Sequence, residues 1–170
     1  MRSPTRILVP VDFSPCSATA LEYAATIAER LDATIDVLHV WQAPQLVVAD
    51  GSMPPLAVFA HTQAGQAMKA FLQELEARDV RPERVHGRLA CGEPAQSILD
   101  VADSGRYELI VMGRHGRGRF SHLFVGSVTE KVSRRASIPV LTMHRPSDEL
   151  PQPRWAQEHE RDRDLDEVAT

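Results

Sequence analysis

Short apolar runs alternate along this chain with stretches whose apolar residues recur every three or four positions. The runs fit buried strands and the recurrences fit amphipathic helices, because strand side chains alternate faces while helical ones return after about 3.6 residues. Arg6 to Val11 reads as a first strand. Behind it Ser14 is placed to cap a helix, Pro15 suits its first position, and Ala20, Leu21, Ala24, Ile27, Ala28 and Leu31 share one face. Thr34 to Val40 is a second strand. After a connection holding Pro44, Pro54 and Pro55, the residues Ala60, Ala64, Ala67, Met68, Phe71, Leu72 and Leu75 mark a second helix. Val85 to Ala90 is a weaker third strand. Gly92-Glu93-Pro94 then turns into a helix carrying Ala95, Ile98, Leu99 and Ala102, with Glu93 as an acid of its first turn. Tyr107 to Met112 is the fourth strand, Ser127 to Ala136 the fourth helix and Pro139 to Met143 the fifth strand.

Strands that read as continuous apolar runs and alternate with helices imply a parallel sheet covered on both faces, joined by right-handed crossovers. The expected architecture is therefore a five-stranded, doubly wound α/β domain. In such folds a ligand sits beyond the carboxyl ends of the strands, where the winding direction reverses. Asp12, Val40-Trp41, Cys91-Gly92 and Gly113 all fall on that edge.

One of those strand ends opens a distinctive loop. Gly113-Arg114-His115-Gly116 is followed by nine residues and then Gly126-Ser127, so two permissive corners bracket a segment running from a strand's end to a helix's start. Glycine lets a backbone approach a ligand closely, and the free N–H groups and dipole of a first helical turn favour an anion. Arg114, His115, Arg117, Arg119 and His122 lie between, with no acidic residue from Val111 to Thr129. The pattern is that of a phosphate cradle with cations on its rim. It is not a Walker A loop, since no Gly-Lys-Ser/Thr occurs, and a G-x-G-x-x-G reading fails at Ser121.

Composition narrows the field. The net charge of −4 resides in the tail from Arg145 to Thr170, which has four arginines against eight acids, and leaves residues 1–144 neutral with 15 basic and 15 acidic side chains. A neutral domain without a basic face or interleaved aromatics is a poor nucleic-acid binder, and the two repeats in Gly116-Arg117-Gly118-Arg119 are too few to alter that. Residues 1–144 read as the domain and 145–170 as a solvated, charged extension. Cys16 and Cys91 give neither a disulfide framework nor C-x-x-C, and the seven histidines form no ligand cluster, so the compartment reads as reducing and cytoplasmic. Cys16 reads as packing rather than as a reactive thiol, and Trp41 as a residue closing the core. Pro10 and Asp12 cut the first apolar run far short of a signal-peptide core or membrane span.

These residues resemble the universal stress protein family, whose nucleotide-binding members carry the same glycine spacing after the fourth strand: here Gly113, Gly116, Gly126 and Ser127. Ile7-Leu8-Val9-Pro10-Val11-Asp12-Phe13-Ser14, Gly92-Glu93-Pro94-Ala95, Ile110-Val111-Met112-Gly113, Gly126-Ser127-Val128-Thr129 and Ile138-Pro139-Val140 are similar too, and the likeness covers residues 5–144. It implies the adenine nucleotide alpha hydrolase-like fold, with strand order 3-2-1-4-5. It also implies ATP between strands one and four and a homodimer built on Pro139 to Met143. Matching positions carry implied roles: Gly113, Gly116, Gly126 and Ser127 on phosphates, Asp12 near the ribose or a shared Mg²⁺, and Val40 beside adenine. Pro10, Val11, Met112, Arg114, His115, Val128 and Thr129 line the same pocket. The implied function is a stress-response regulatory module whose nucleotide state controls contacts with a protein partner. A slow ATP hydrolase or nucleotidyl-transferring enzyme and a nucleotide-free dimerising adapter are the alternatives. No nucleophile-activating pair stands in the sequence, so no residue is assigned a catalytic role.

Overall fold

Strand and helix alternate throughout the computed structural model, which describes residues 5–43, 55–76, 84–114 and 126–144. The elements are β1 (Arg6–Pro10), α1 (Pro15–Leu31), β2 (Thr34–Trp41), α2 (Pro55–Glu76), β3 (Val85–Cys91), α3 (Pro94–Ser104), β4 (Leu109–Gly113), α4 (Ser127–Arg135) and β5 (Val140–Met143). Every strand pairing is parallel, in the order β3-β2-β1-β4-β5. The doubly wound sheet expected from the alternation is thus what forms. The tail from Arg145 onward lies outside the described residues.

The two faces follow from strand alternation. Ile7, Val9, Ile35, Val37 and Val111 meet Ala20, Leu21 and Ala24 of α1 and Met68, Phe71 and Leu75 of α2. Leu8, Leu38, Ile110 and Met112 meet Ala95, Ile98, Leu99 and Ala102 of α3 and Val132 of α4. Ile7, Leu8 and Val9 are each fully excluded from solvent, which only a central strand covered on both sides achieves. Each such side chain contributes about 1.5–3 kcal/mol of burial free energy. Helix α2 comes close enough to β3 that a Cβ on Gly87 would stand 3.0 Å from Met68 Cγ.

One buried acid interrupts this apolar core. Asp36, near the amino end of β2, accepts hydrogen bonds from the Tyr107 hydroxyl and from Arg6 Nη2 at 2.8 Å, while Arg88 Nη1 stands 3.4 Å away. Arg88 Nη1 also donates to Tyr107 Oη at 2.7 Å, and the Arg6 guanidinium lies over the Tyr107 ring, 4.8 Å from its centroid. The Asp36 side chain is 4% exposed, whereas Arg6 and Arg88 are 41% and 46% exposed, so a buried anion is covered by two cations at its rim. Burial pushes the Asp36 carboxyl up, but the Tyr107 hydroxyl, Arg6 and Arg88 together hold it below its ordinary range. Tyr107, expected inside the fourth strand, precedes β4, and its buried side chain bonds Asp36 of β2 through the hydroxyl.

Candidate functional site

From β1 the chain winds through β2 to β3 on one side, then crosses to β4 and β5 on the other. The reversal therefore lies between β1 and β4, and the crevice beyond their carboxyl ends is where a doubly wound sheet receives ligands. Asp12 leaves β1 at this point. Its Oδ1 accepts the Ser14 N–H at 3.1 Å, and Phe13 between them takes a left-handed turn with φ 62°. Ser14 caps α1 by accepting the Ser17 N–H, with Pro15 in the first turn, as the sequence indicated.

The glycine spacing closes on itself. Arg114 donates its backbone N–H to Met143 O at 2.6 Å, and its own carbonyl accepts the Gly126 N–H at 2.8 Å. The two ends of the loop are thereby held together, with α4 starting beside the end of β4. Thr129 Oγ1 reinforces the junction by donating to Gly113 O at 2.9 Å. Gly113 itself touches the first turn of α1: a Cβ there would stand 3.0 Å from Cys16 Sγ and 3.1 Å from Cys16 C. That close approach is why the position suits glycine.

Helix α4 is capped differently from its neighbours. Gly126, not Ser127, occupies the cap position, and no side chain accepts from the first turn, so Ser127 is the first helical residue and is exposed. By contrast α1 uses Ser14 and α3 uses Glu93, whose carboxylate accepts the Gln96 N–H at 2.7 Å. Glu93 is therefore the cap rather than an acid inside the first turn. Its bond to the Gln96 N–H holds its carboxyl below the ordinary range, with Lys131 Nζ 3.2 Å away adding to the effect. The first turn of α4, lacking a side-chain cap, offers backbone N–H groups at the end of the helix where the dipole favours negative charge. Arg114 Nε adds a buried nitrogen with no hydrogen-bond partner. These donors suit a phosphate.

At the other wall stands the end of β2. Its peptide groups alternate in direction: Leu38 O accepts from Val11 N on the β1 side, and Trp41 O accepts from Gly92 N on the β3 side. Val40 lies two residues beyond Leu38, so its N–H and C=O turn to the same side, beyond the end of β1. His39 reaches across the same place, with Nδ1 2.8 Å from Val11 O and its ring 4.2 Å from the Phe13 ring.

The structure thus brings Pro10, Val11, Asp12, Val40, Met112, Gly113, Arg114, Gly126, Ser127, Val128 and Thr129 to one edge. His115 and Gly116 lie outside the described residues. Val11 and Met112 are buried, in the first and second core respectively. Trp41 is buried against His61 of α2, as expected of a core-closing residue. Cys16 is buried and Cys91 exposed, both as free thiols. Two participants escaped the sequence reading, Glu93 as a cap and His39 as a crevice side chain. A lone imidazole in an apolar strand was the available signal for the second.

The model of the Universal stress protein family matches residues 4–144. Universal stress protein MJ0531 of Methanocaldococcus jannaschii is 30% identical over 146 residues, covering 85% of this chain and 84% of that one. A universal stress protein of Mycolicibacterium smegmatis is 30% identical over 139 residues, and there the chain spans 45% of the relative's length. Among solved structures, the hypothetical protein MJ0577 superposes with a TM-score of 0.71 at 26% identity, over 85% of this chain and 98% of that one. Two more distant structures share the fold: a universal stress protein in complex with cAMP (TM-score 0.65, 21% identity, 84% of this chain and 98% of that one), and one from Archaeoglobus fulgidus in complex with dAMP (TM-score 0.55, 20% identity, 84% and 99%). The glycine-closed crevice and the parallel sheet that carries it thus stand in a chain that belongs to the universal stress protein family.

Proposed function

We propose that the protein binds ATP in the crevice between β1 and β4 and works as a cytoplasmic stress-response module whose nucleotide state sets its contacts with a protein partner. The observation that carries the reading is the closure of the glycine loop, which seats the start of α4, without a side-chain cap, beside Gly113. Backbone N–H groups of Ser127 and Val128, with those of the glycine loop, take the phosphates, and Arg114 supplies positive charge. Val40 offers the adenine an N–H and a C=O, complementary to the ring nitrogen and amino group of its Watson–Crick edge. The cAMP and dAMP complexes of two proteins sharing the fold support an adenine nucleotide as the class of ligand.

Mg²⁺ fits as a passenger on the phosphates. Among the described residues no group of three or more His, Cys, Asp or Glu side chains could hold a metal, so the ion would take one oxygen from Asp12 and the rest from phosphates and water. Bound there, it would neutralise phosphate charge. No described helix is long and apolar enough to cross a membrane. Homodimerisation through β5 completes the proposal, since that edge strand bears half-buried Val140, Leu141 and Met143 that a second copy would cover.

Denaturing freshly purified protein and identifying the released small molecules tests the reading. Near-equimolar ATP, or a calorimetric ATP signal from nucleotide-free protein, is the expected result. A clean supernatant together with no calorimetric binding of ATP and Mg²⁺ would overturn it.

A further inference from the structure

We infer that His39 is a positioning residue that keeps the edge of Val40 open for the adenine base; the inference rests on the proposed nucleotide site and deepens it. Arg6 to Pro10 pair in register with Thr34 to Leu38, and the ladder continues one residue further through Val11 N–H to Leu38 O at 2.8 Å. In a parallel ladder the next rung runs from Val40 N–H to Val11 O. Among the described residues that rung is absent. Val11 O is instead 2.8 Å from His39 Nδ1, and since a carbonyl can only accept, Nδ1 carries the hydrogen and donates.

The imidazole thus replaces the peptide N–H that would have met this carbonyl. Val40 N–H, turned to the same side, is left without a ladder partner at the point where the base would lie. The ring is fixed in that role by stacking. Its centroid stands 4.2 Å from that of Phe13, and Phe13 packs edge-on against Phe71 of α2 at 5.5 Å. Phe13 can present its ring there because the turn after Asp12 is left-handed, φ 62°. One side chain therefore couples both walls of the crevice: it ends the β1–β2 pairing one rung early and holds the turn that carries Asp12.

Removing the donor while keeping bulk should let Val11 O and Val40 N–H find each other. In His39→Leu the Val40 amide becomes protected from hydrogen exchange, and ATP binds roughly three- to tenfold more weakly, the span expected for one lost neutral hydrogen bond. Inorganic tripolyphosphate, which has no base, binds as it does to the wild-type protein. His39→Asn places an amide N–H close to where Nδ1 stood, so it should keep Val40 unprotected and restore ATP affinity. Amide exchange followed by NMR, with calorimetry using ATP and tripolyphosphate on the same proteins, reads all of this.

A Val40 amide as protected as that of Leu38 in the wild-type protein overturns the inference. So does equal weakening of ATP and tripolyphosphate in His39→Leu, or unchanged ATP affinity in that variant. If wild-type protein binds no ATP, the proposed function and the base-binding half of the inference fall together. The exchange comparison at Val40 then still decides whether His39 holds the edge open.

Discussion

Replacing Tyr107 by Phe deletes one hydroxyl from the cluster around Asp36 and should cost about 2 kcal/mol at pH 7. The hydroxyl has two jobs: it donates to the Asp36 carboxylate and accepts from Arg88 Nη1 at 2.7 Å. A hydrogen bond to a charged group contributes about 1.5–3 kcal/mol, and the lower half applies here because Arg6 and Arg88 remain to cover the carboxylate. For a domain of this size that loss corresponds to a melting temperature lower by roughly 4–8 °C. The pH dependence supplies the sharper test. The folded-state carboxyl of Asp36 lies below its ordinary value of 3.8, so its stabilisation is fully present above that value and is lost as the pH falls through the lower, folded-state value. Once the carboxylate is protonated, the Tyr107 bond becomes a neutral one of about 0.5–1.5 kcal/mol. The gap between wild-type and Tyr107→Phe should therefore be widest at neutral pH and narrow as the pH falls below 3.8 towards the lower, folded-state value. Urea melts followed by circular dichroism over that range give the gap directly. A deficit under about 0.5 kcal/mol at neutral pH, or one that stays flat until the protein unfolds in acid, would refute the reasoning.

Two further outcomes follow from the site and the sheet edge. Gly113→Ala puts a Cβ 3.0 Å from Cys16 Sγ and 3.2 Å from Cys16 O, so one side of the α1–β4 contact must move. A loss of about 1–3 kcal/mol in a denaturant melt is expected, with weaker ATP binding in calorimetry; wild-type values for both would contradict the close approach. A chain ending at His144 should sediment as the same dimer as the full chain, because β5 lies wholly within it. Association that begins only on truncation would instead assign the edge's cover to residues 145–170.

Much of the fold was legible because β1, β2 and β4 are runs largely buried on both faces and each helix repeats its apolar stripe. Ser14 and Pro15 announced α1 by local chemistry alone, and the structure keeps both roles. What failed was non-local. Asp36 sits in an apolar run, and its partners Arg6, Arg88 and Tyr107 stand 30, 52 and 71 residues away in sequence. Only the strand register assembles them, and register is set by the whole sheet. At the crevice, the glycine spacing was readable because backbone constraints are written in residue type. His39 was not, because its carbonyl partner belongs to another strand, 28 residues earlier.

The two ends of the sheet are built on opposite principles. At the amino ends the chain satisfies itself: a buried carboxylate is covered by a hydroxyl and two guanidiniums, and the end of α3 is drawn in through Arg6 Nη1 to Gly105 O at 2.8 Å. At the carboxyl ends donors are withheld from partners, by a helix start without a side-chain cap and by an imidazole standing in for a ladder rung. Buried donors without partners are costly, so such an edge needs a rigid sheet beneath it. Stability and binding should accordingly separate. Tyr107→Phe ought to lower the melt while leaving ATP affinity unchanged, whereas His39→Leu, which completes a rung, ought to weaken ATP without a comparable loss of stability. A Tyr107→Phe protein that lost ATP in proportion to its stability would mean that the sheet transmits strain from one end to the other, and the two halves could no longer be treated as independent.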